Sequence, residues 1–407
     1  MLIIVQPLSA GIQLASRLVA AGVPCLIPTQ FPDLLPAEVH SGARVVDWHP
    51  DHGVPALLDL VDRLGVTPTG VIAGFEYAVG AAAELARALG LPALSQDTAE
   101  AVRQKDVMRE RCVKHGIAVP ASITIPADEV GECPFAFPAV VKPADWGGSL
   151  MVRLVRDADE YQRACAEIHR YGEVKFHHDP RRVALVEEYV DGPEFSLEGW
   201  VDTAGLHIVS ITTKLLSAPP QFFEMGHVAT PPQRSPYGRL LHEFAAQVVA
   251  AFDITVGPFH IETRIAADGH PVLIEVGARL AGDCIPELVM AGPGVDLYLA
   301  AAEAARGGRY VHQPVSSVSA GLAFVTTDRP GVFAGSLSGI ERFLDADEFV
   351  RIVFEAERGA ALDPDDIFHN RVAQVHFVGE PGRVEDLVGA VLRDVRVDIS
   401  DKEGNRS

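Results

Sequence analysis

Short apolar strands alternate with helical segments over the first 95 residues, and this alternation restricts the fold more than any other feature of the chain. Residues 2–6, 24–28 and 71–74 have the composition of buried strands. Residues 11–21 have the spacing of an amphipathic helix, and another helical pattern follows the third strand. Strands that alternate with helices pair in parallel, with the helices covering the sheet. The sequence therefore predicts an α/β domain at residues 1–95.

Turn and capping signals organise the next part of the chain. Asp97 and Glu100 form a D-x-x-E capping box, which predicts the start of one long helix that carries Lys105. Two β-hairpins are expected further on, one at Asp191-Gly192-Pro193 and one at Asp268-Gly269. A two-residue Asp-Gly turn is among the strongest local hairpin signals.

Chain length and pattern together predict three parts. A chain of 407 residues is too long for one ordinary core. The regular pattern weakens after Pro293-Gly294. We therefore expect the α/β domain at 1–95, a mixed region at 96–309 and a small α+β domain at 310–407.

The net charge limits the partners of the protein. With 34 basic and 55 acidic residues the chain carries a formal charge of −21, so it repels nucleic acid and anionic membranes. We expect neither as a partner. The same charge repels ATP, so a nucleotide site needs a local positive field.

Cysteine usage and hydropathy favour a cytoplasmic protein. The five cysteines are scattered, and none forms a C-x-x-C pair, so the sequence indicates neither a disulfide framework nor a structural zinc site. No apolar run approaches the ~20 residues that span a bilayer. Residues 1–7 read as a buried strand and not as a signal peptide.

The Asp-Gly hairpin brings two carboxylates together. A two-residue turn at Asp268-Gly269 pairs Ala267 with His270 and places Glu262 opposite Glu275, with Cβ atoms about 4.5–5.5 Å apart. Two like charges in this position are destabilising unless a divalent cation lies between them, and carboxylate oxygens suit Mg²⁺. The alternative is that both side chains lie on a solvated face.

A glycine-rich loop and two lysines are candidates for phosphate binding. Gly147-Gly148-Ser149 follows an apolar strand that contains Lys142; small residues let backbone N–H groups approach phosphate oxygens, and the lysine supplies charge. The motif is not a Walker A loop. The alternatives are a plain turn, an exposed Lys142, and a solvated helix face for Lys105 and its charged neighbours.

Three glutamates and three further polar residues are candidates for substrate contacts. Glu187, Glu188 and Glu194 flank the first predicted turn and suit a ribose or an adenine edge, or else form a charged strand edge. Three others suit an amino-acid substrate: Glu76, at the end of the strand 71–74, Arg279 and His227. Alternatively, Glu76 caps a helix, Arg279 is only a counter-ion of the paired glutamates, and His227 is a structural hydrogen-bonding residue.

In their order along the chain these motifs resemble the ATP-grasp superfamily, over roughly residues 1–300, and most closely its L-amino-acid ligase branch. The motifs concerned are QKDVMRERCVKHGI, VVKPADWGGS, VEEYVDGPEFS, HIETR and IEVGARLAGD, together with EMGH. The resemblance implies an α/β and α+β protein with an N-terminal Rossmann-like pre-grasp domain, a two-lobed ATP-grasp region and a C-terminal α+β cap.

The resemblance also implies roles for individual residues. Lys105 and Lys142 would contact ATP phosphates beneath the loop 147–149, and Glu262 and Glu275 would bind Mg²⁺. The adenosine moiety would be held by Glu187, Glu188, the backbone near Tyr189 and Val190, and Glu194. Arg279 and Lys142 would serve in catalysis, and Glu76, His227 and Arg279 would contact the substrate.

The implied activity is ATP-dependent joining of an acid to an amine through an acyl phosphate, with an amino acid as the expected substrate. The partners would be small molecules, and a homodimer is compatible with the sequence. Gly277 stands where many ATP-grasp enzymes have a metal-binding asparagine, which leaves the number of magnesium ions open. The rival hypotheses are an ATP-grasp carboxylase, a ligase of a non-amino-acid acid, and a nucleotide-binding module without turnover.

Overall fold

The N-terminal unit is a four-stranded parallel sheet with helices on it, as the alternation predicts. The computed structural model describes residues 1–126, 129–171, 178–313, 316–364 and 370–400. The strands are β1 (Leu2–Val5), β2 (Cys25–Thr29), β3 (Arg44–Asp47) and β4 (Gly70–Ala73), in the order β3-β2-β1-β4. The helices are α1 (Ala10–Ala20), α2 (Ala37–Gly42), α3 (Gly53–Leu64) and α4 (Val79–Ala88). The sequence did not predict β3, whose side chains are partly exposed.

Helix α1 lies very close to the end of β4. A Cβ atom at Gly11 would lie 1.9 Å from the carbonyl oxygen of Gly74, so only glycine permits this approach. The contact places the N-terminus of α1 beside the residues that follow β4, including Glu76.

The described residues between 96 and 188 form three helices and a small antiparallel sheet. The elements are α5 (Gln96–Ala101), α6 (Lys105–His115), β5 (Ser122–Ile125), β6 (Ala139–Pro143), β7 (Arg153–Val155), α7 (Ala158–Arg170) and β8 (Ala184–Glu188), with the strand order β5-β8-β6-β7. The predicted single long helix is wrong. Ser95, not Asp97, caps α5 by accepting a hydrogen bond from the backbone N–H of Thr98 at 3.0 Å, and a break before α6 makes Lys105 the first residue of a new helix.

The rest of the described chain builds a large sheet with the order β13-β12-β9-β10-β11-β14-β18-β16 and a three-stranded sheet with the order β17-β15-β19. The elements are β9 (Glu194–Asp202), β10 (Gly205–Leu216), β11 (Glu224–Thr230), α8 (Gly238–Ala251), β12 (Gly257–Ile265), β13 (Pro271–Gly277), α9 (Ile285–Ala291), α10 (Leu297–Ala305), β14 (Ser319–Thr326), β15 (Gly331–Ser338), α11 (Glu341–Leu344), β16 (Phe349–Phe354), β17 (Ala361–Leu362), β18 (Arg371–Gly379), α12 (Arg383–Asp394) and β19 (Arg396–Ser400). Because β11 pairs with β14, the large sheet continues across the predicted boundary at residue 310. The division into three parts stays a prediction, and the mixed α/β and α+β class is confirmed.

The segment Asp191-Gly192-Pro193 is not a hairpin turn. Strand β8 belongs to the small sheet and β9 to the large sheet, so the segment connects two sheets. Gly192 has φ 147°, and a Cβ atom there would lie 1.9 Å from the carbonyl oxygen of Ile265. Glycine is therefore needed for close passage of the chain and not for a tight turn.

One core joins the N-terminal unit to the large sheet. Leu14 of α1 and Ile27 of β2 belong to the same buried cluster as Trp200 of β9 and Phe324 of β14. Within the described ranges, no helix combines the length and the apolar character needed to cross a bilayer.

Candidate functional site

A cavity of about 540 Å³ is lined by residues of the N-terminal unit, the small sheet and the large sheet. Fourteen of the fifteen predicted site residues line it: Glu76, Lys105, Lys142, Gly147, Gly148, Ser149, Glu187, Glu188, Tyr189, Val190, Glu194, Glu262, Glu275 and Arg279. His227 does not line the cavity and is fully buried. Residues separated by up to about 200 positions in sequence thus share one site, and their individual roles remain predictions.

Lys105 is held in the cavity by the start of α6. Its backbone N–H donates to the carbonyl oxygen of Ala144 at 2.8 Å. Its side-chain Nζ donates to the carbonyl oxygen of Trp146 at 2.6 Å and lies 2.9 Å from a carboxylate oxygen of Glu275. Lys105 therefore connects the loop after β6 to one of the paired glutamates, and the interpretation of this residue as part of a solvated face is wrong.

Lys142 and Arg109 enclose the carboxylate of Glu187. The Nζ of Lys142 lies 2.6 Å from one carboxylate oxygen, and the Nε of Arg109 donates to the other at 2.7 Å. Burial by itself raises the pKa of Glu187, but the two cations outweigh it and lower that pKa. Burial lowers the pKa of Lys142, and Glu187 only partly compensates. With Lys142 protonated, Lys142, Arg109 and Glu187 together carry one net positive charge, which suits an anionic ligand.

Aromatic rings and an arginine shape the adjoining part of the cavity. The rings of Tyr189 and Phe222 stack with centroids 6.0 Å apart, and the guanidinium of Arg264 lies 5.5 Å and 5.1 Å from them. Arg264 also donates to the carbonyl oxygen of Val190 at 2.9 Å and to Glu194 at 2.8 Å. Arg264 thereby fixes the backbone and the carboxylate that the sequence assigns to adenosine binding.

The loop that follows β6 is anchored at one end. Asp145 and Trp146 are buried, and Asp145 accepts a hydrogen bond from the backbone N–H of Arg181 at 3.0 Å. Gly148 and Ser149 both have positive φ, at 68° and 56°. The backbone therefore changes direction at the residues that the sequence places over the phosphates.

Glu262 lies opposite Glu275 on the neighbouring strand, as predicted. The turn and the strand pairing between the turn and these residues differ from the prediction. The turn contains three residues, because the backbone N–H of Ala266 donates to the carbonyl oxygen of His270 and Gly269 has φ 83°. This turn shifts the pairing by one residue. A β-bulge at Ile274 adds one residue to β13 and restores the predicted pairing at Glu275. The predicted pairing of Ala267 with His270 is therefore wrong.

Two cations hold one oxygen of Glu262. Its Oε1 accepts from the Nζ of Lys214 and lies 3.1 Å from the Nε2 of His260. The Nδ1 of His260 lies 3.1 Å from Glu198. Burial raises the pKa of Glu262, but Lys214 and His260 outweigh it and hold that pKa well below its usual range. The side chain is thus an anion fixed through Oε1, which suits a metal ligand.

Glu76 and Arg279 form an ion pair in the lining of the cavity. The Nε of Arg279 donates to one oxygen of Glu76, and the Nη1 of Arg103 lies 3.4 Å from the other. Burial by itself raises the pKa of Glu76, but Arg279 and Arg103 outweigh it and lower the pKa to about 2. A fixed carboxylate thus lies beside a fixed guanidinium, which matches the two charges of an amino acid.

His227 belongs to a network behind the cavity wall. Its Nε2 lies 3.1 Å from Glu224 and 3.9 Å from Asp283, and both carboxylates line the cavity. Burial lowers the pKa of His227, but the two carboxylates outweigh it and raise that pKa. Ligand atoms of the three residues lie within 4.8 Å of one another. Lys214 pairs with Glu224 and Arg371 with Asp283, so both carboxylates already have a cationic partner.

Sequence reasoning missed several residues that line the cavity or contact its carboxylates. His260 and Arg264 lie two positions either side of Glu262 on β12, so the period of two along a strand predicts that all three point to one face. Glu224 lies three residues before His227, in a segment already singled out. Lys214 has no comparable local signal, since its partners lie on other strands.

Comparisons with known proteins agree with the motif order. Residues 135–287 match the family model described as the ATP-grasp domain. The crystal structure of an L-amino acid ligase from Bacillus licheniformis is 24% identical, covers 98% of each chain and superposes with a TM-score of 0.80. The predicted ATP-grasp fold is therefore confirmed.

Two curated relatives extend the comparison. The "Uncharacterized protein y4rH" of Sinorhizobium fredii is 31% identical over 65% of this chain and 54% of its own length. Dapdiamide A synthase of Enterobacter agglomerans is 26% identical over 71% of this chain and 69% of its own length. The chain thus spans about half the length of the first of these relatives.

Proposed function

We propose that this chain, which contains an ATP-grasp domain, is an ATP-dependent ligase that joins the carboxylate of one substrate to an amine, with an amino acid as a substrate. The arrangement that carries the proposal is the shared cavity. Lys105 and Lys142 lie on the same cavity as the register pair Glu262 and Glu275, and the ion pair of Glu76 and Arg279 lines it as well. Phosphate, metal and zwitterion sites are the three that such a reaction needs.

The reaction proceeds in two steps. A carboxylate oxygen of the acid attacks the γ-phosphorus of ATP, the bond to the β-phosphate oxygen breaks, and ADP leaves. The amine then attacks the carbonyl carbon of the acyl phosphate, the C–O bond to phosphate breaks, and the nitrogen gives its proton to the released phosphate. Lys142 and Lys105 neutralise charge that develops on the phosphates, and Arg279 orients the carboxylate and stabilises the oxyanion.

Glu262 and Glu275 are the residues that would hold Mg²⁺. Both side chains offer hard oxygen ligands, and the low pKa of Glu262 keeps that carboxylate ionised. The ion would neutralise charge on the ATP phosphates. Because Gly277 offers no side-chain oxygen, the number of Mg²⁺ ions is open. A Mg²⁺ titration measures it.

The relatives favour amino acids over other acids. An L-amino acid ligase and a dapdiamide synthase are among the proteins that this chain resembles. The Glu76–Arg279 pair supplies one anion and one cation beside the candidate phosphate site. A ligase of a non-amino-acid carboxylate, or a carboxylase, would have no use for Glu76 as an ammonium partner.

The test is ADP release over a panel of acids and amines, with product masses. We expect free amino acids to support ADP formation and their N-acetylated and amine-free analogues to fail. Equal activity with the analogues would replace the amino-acid assignment with a general acid–amine ligase. ADP formation that depends on bicarbonate would identify a carboxylase, and nucleotide binding without ADP formation over the whole panel would identify a module without turnover.

A cytoplasmic location is part of the proposal. All five cysteines are free thiols in the structure, and Cys25, Cys112 and Cys165 are buried. Burial raises the pKa of each of these three thiols to about 11, so they are unreactive. Free thiols suit a reducing compartment.

A further inference from the structure

The cavity lining includes apolar residues of the N-terminal unit and of the segment that follows β13, and we call this set the apolar wall. The wall consists of Leu8, Ile12, Leu34, Leu280 and Ile285, all of which line the cavity. None of these residues has a role in the reaction proposed above.

Most of this apolar wall is rigid. Leu8, Leu280 and Ile285 are buried. Leu280 and Ile285 belong to the core cluster that joins α1 to the large sheet, and Ile12 packs against it. Close packing of this kind fixes the shape of the wall before any ligand arrives.

Leu34 differs from the other members because its surface is 54% exposed. It ends the 3₁₀ turn Pro32–Leu34 between β2 and α2, and the next residue, Leu35, is buried in the core. The backbone is therefore anchored while the Leu34 side chain stands at the cavity rim. An apolar ligand group would remove that side chain from water, which is favourable.

The apolar wall adjoins the ion pair of Glu76 and Arg279. Leu280 directly follows Arg279, and the backbone N–H of Leu8 donates to the carbonyl oxygen of Gly74, two residues before Glu76, at 3.1 Å. An amino acid whose two charged groups meet this pair thus has its side chain within reach of the wall.

We propose that the apolar wall receives the side chain of the amino-acid substrate and selects an aliphatic one such as that of leucine or methionine. This inference rests on the proposed ligase activity. A charged side chain on the wall would lose its hydration without gaining a partner. Asp283 lines the same cavity, and both its oxygens accept from Arg371, at 2.8 Å and 3.1 Å; the five residues of the wall carry no charged group.

The experiment measures kcat/KM for ADP formation with glycine, alanine, leucine, methionine, aspartate and lysine. We expect leucine and methionine to exceed glycine by at least about 10-fold, since one methylene in an apolar pocket changes kcat/KM by that much. The Leu34→Gln variant should lower the ratio of kcat/KM with leucine to kcat/KM with glycine about 5-fold. Because Leu34 is exposed, the variant should keep the fold, which a thermal melt checks.

Leu344→Gln is the matched control, because Leu344 is 44% exposed on α11 and does not line the cavity; it should leave the ratio unchanged. The proposal that the apolar wall selects the side chain is wrong if lysine, aspartate or glycine is preferred. It is also wrong if the leucine-to-glycine ratio of kcat/KM is unchanged in Leu34→Gln. Neither result contradicts the proposed ligase activity. If none of the amino acids supports ADP formation, the proposed function fails, and this inference fails with it.

Discussion

Buried side chains in and next to this cavity stay charged because they contact groups of opposite charge. Lys214 is the clearest case, since its Nζ is 2.6 Å from Glu224, contacts Glu262 and lies 3.8 Å from Glu194. Burial lowers the pKa of Lys214, but the three carboxylates outweigh it and raise the pKa well above the usual value. One buried cation thus pairs with three carboxylates: Glu262, assigned to the metal, Glu194, assigned to the ribose, and Glu224, which lines the cavity.

Removal of Lys214 should therefore destabilise the protein strongly. We expect Lys214→Met to lower the free energy of unfolding by about 3 kcal/mol, because three carboxylates lose a shared buried partner. Urea denaturation measures the change. Lys114→Met, at an exposed position of α6, is the control. Equal stability of the two variants would contradict the role of Lys214.

Glu275 should matter for turnover more than for folding. Its carboxylate faces Lys105 at 2.9 Å and is partly exposed to the cavity. We expect Glu275→Gln to keep the melting temperature and to lose ligase kcat by at least about 100-fold, since a neutral amide is a poor Mg²⁺ ligand. Glu243→Gln, on the exposed face of α8, should behave as wild type. Wild-type turnover in Glu275→Gln would exclude Glu275 as a metal ligand.

At the scale of elements, a helix break and a β-bulge position residues of the candidate site. The break between α5 and α6 puts Lys105 at a helix start, and the bulge at Ile274 restores the pairing of the two glutamates. The carbonyl oxygen of Ile274 accepts from the Nη2 of Arg109 at 2.8 Å. The irregular residue therefore also connects α6 to the large sheet.

The loop after β6 should behave as a lid only in its second half. Asp145 and Trp146 are already fixed, whereas residues 147–150 are not buried. We expect hydrogen exchange of 147–150 to slow when Mg²⁺ and a non-hydrolysable ATP analogue bind, while the peptide of α12 is unchanged. The same protection in the free and bound protein would show that the loop is not a lid.

At the scale of the whole molecule, the C-terminal part holds a residue of the cavity wall in place. Arg371 of β18 holds both oxygens of Asp283, and its guanidinium lies 3.6 Å from the ring centroid of Phe324. The segment beyond residue 310 is therefore connected to the candidate substrate site. A homodimer stays a prediction.

The Asp283 contacts should make stability depend on pH in the acid range. Burial raises the pKa of Asp283, but His227 and Arg371 outweigh it and hold that pKa well below its usual range. A lowered pKa stabilises the folded state above the unfolded value of about 4 and loses this contribution as pH falls further. We expect Asp283→Asn to be less stable than wild type at pH 7, with the difference shrinking below about pH 4. A difference that is constant with pH would contradict this linkage.

The sequence by itself predicted three of the four strands of the N-terminal sheet, because strand and helix periodicity act over a few positions, and it supplied the motifs whose resemblance to the ATP-grasp superfamily implied the fold. It also identified fourteen residues that line the cavity. Only the tertiary structure decided that Ser95 begins α5, that Asp191-Gly192-Pro193 joins two sheets, and that Lys214 and His260 hold Glu262. These features depend on register and on contacts between strands far apart in sequence. The pattern of apolar residues does not reveal the one-residue shift at the turn between β12 and β13, because the bulge at Ile274 compensates for it.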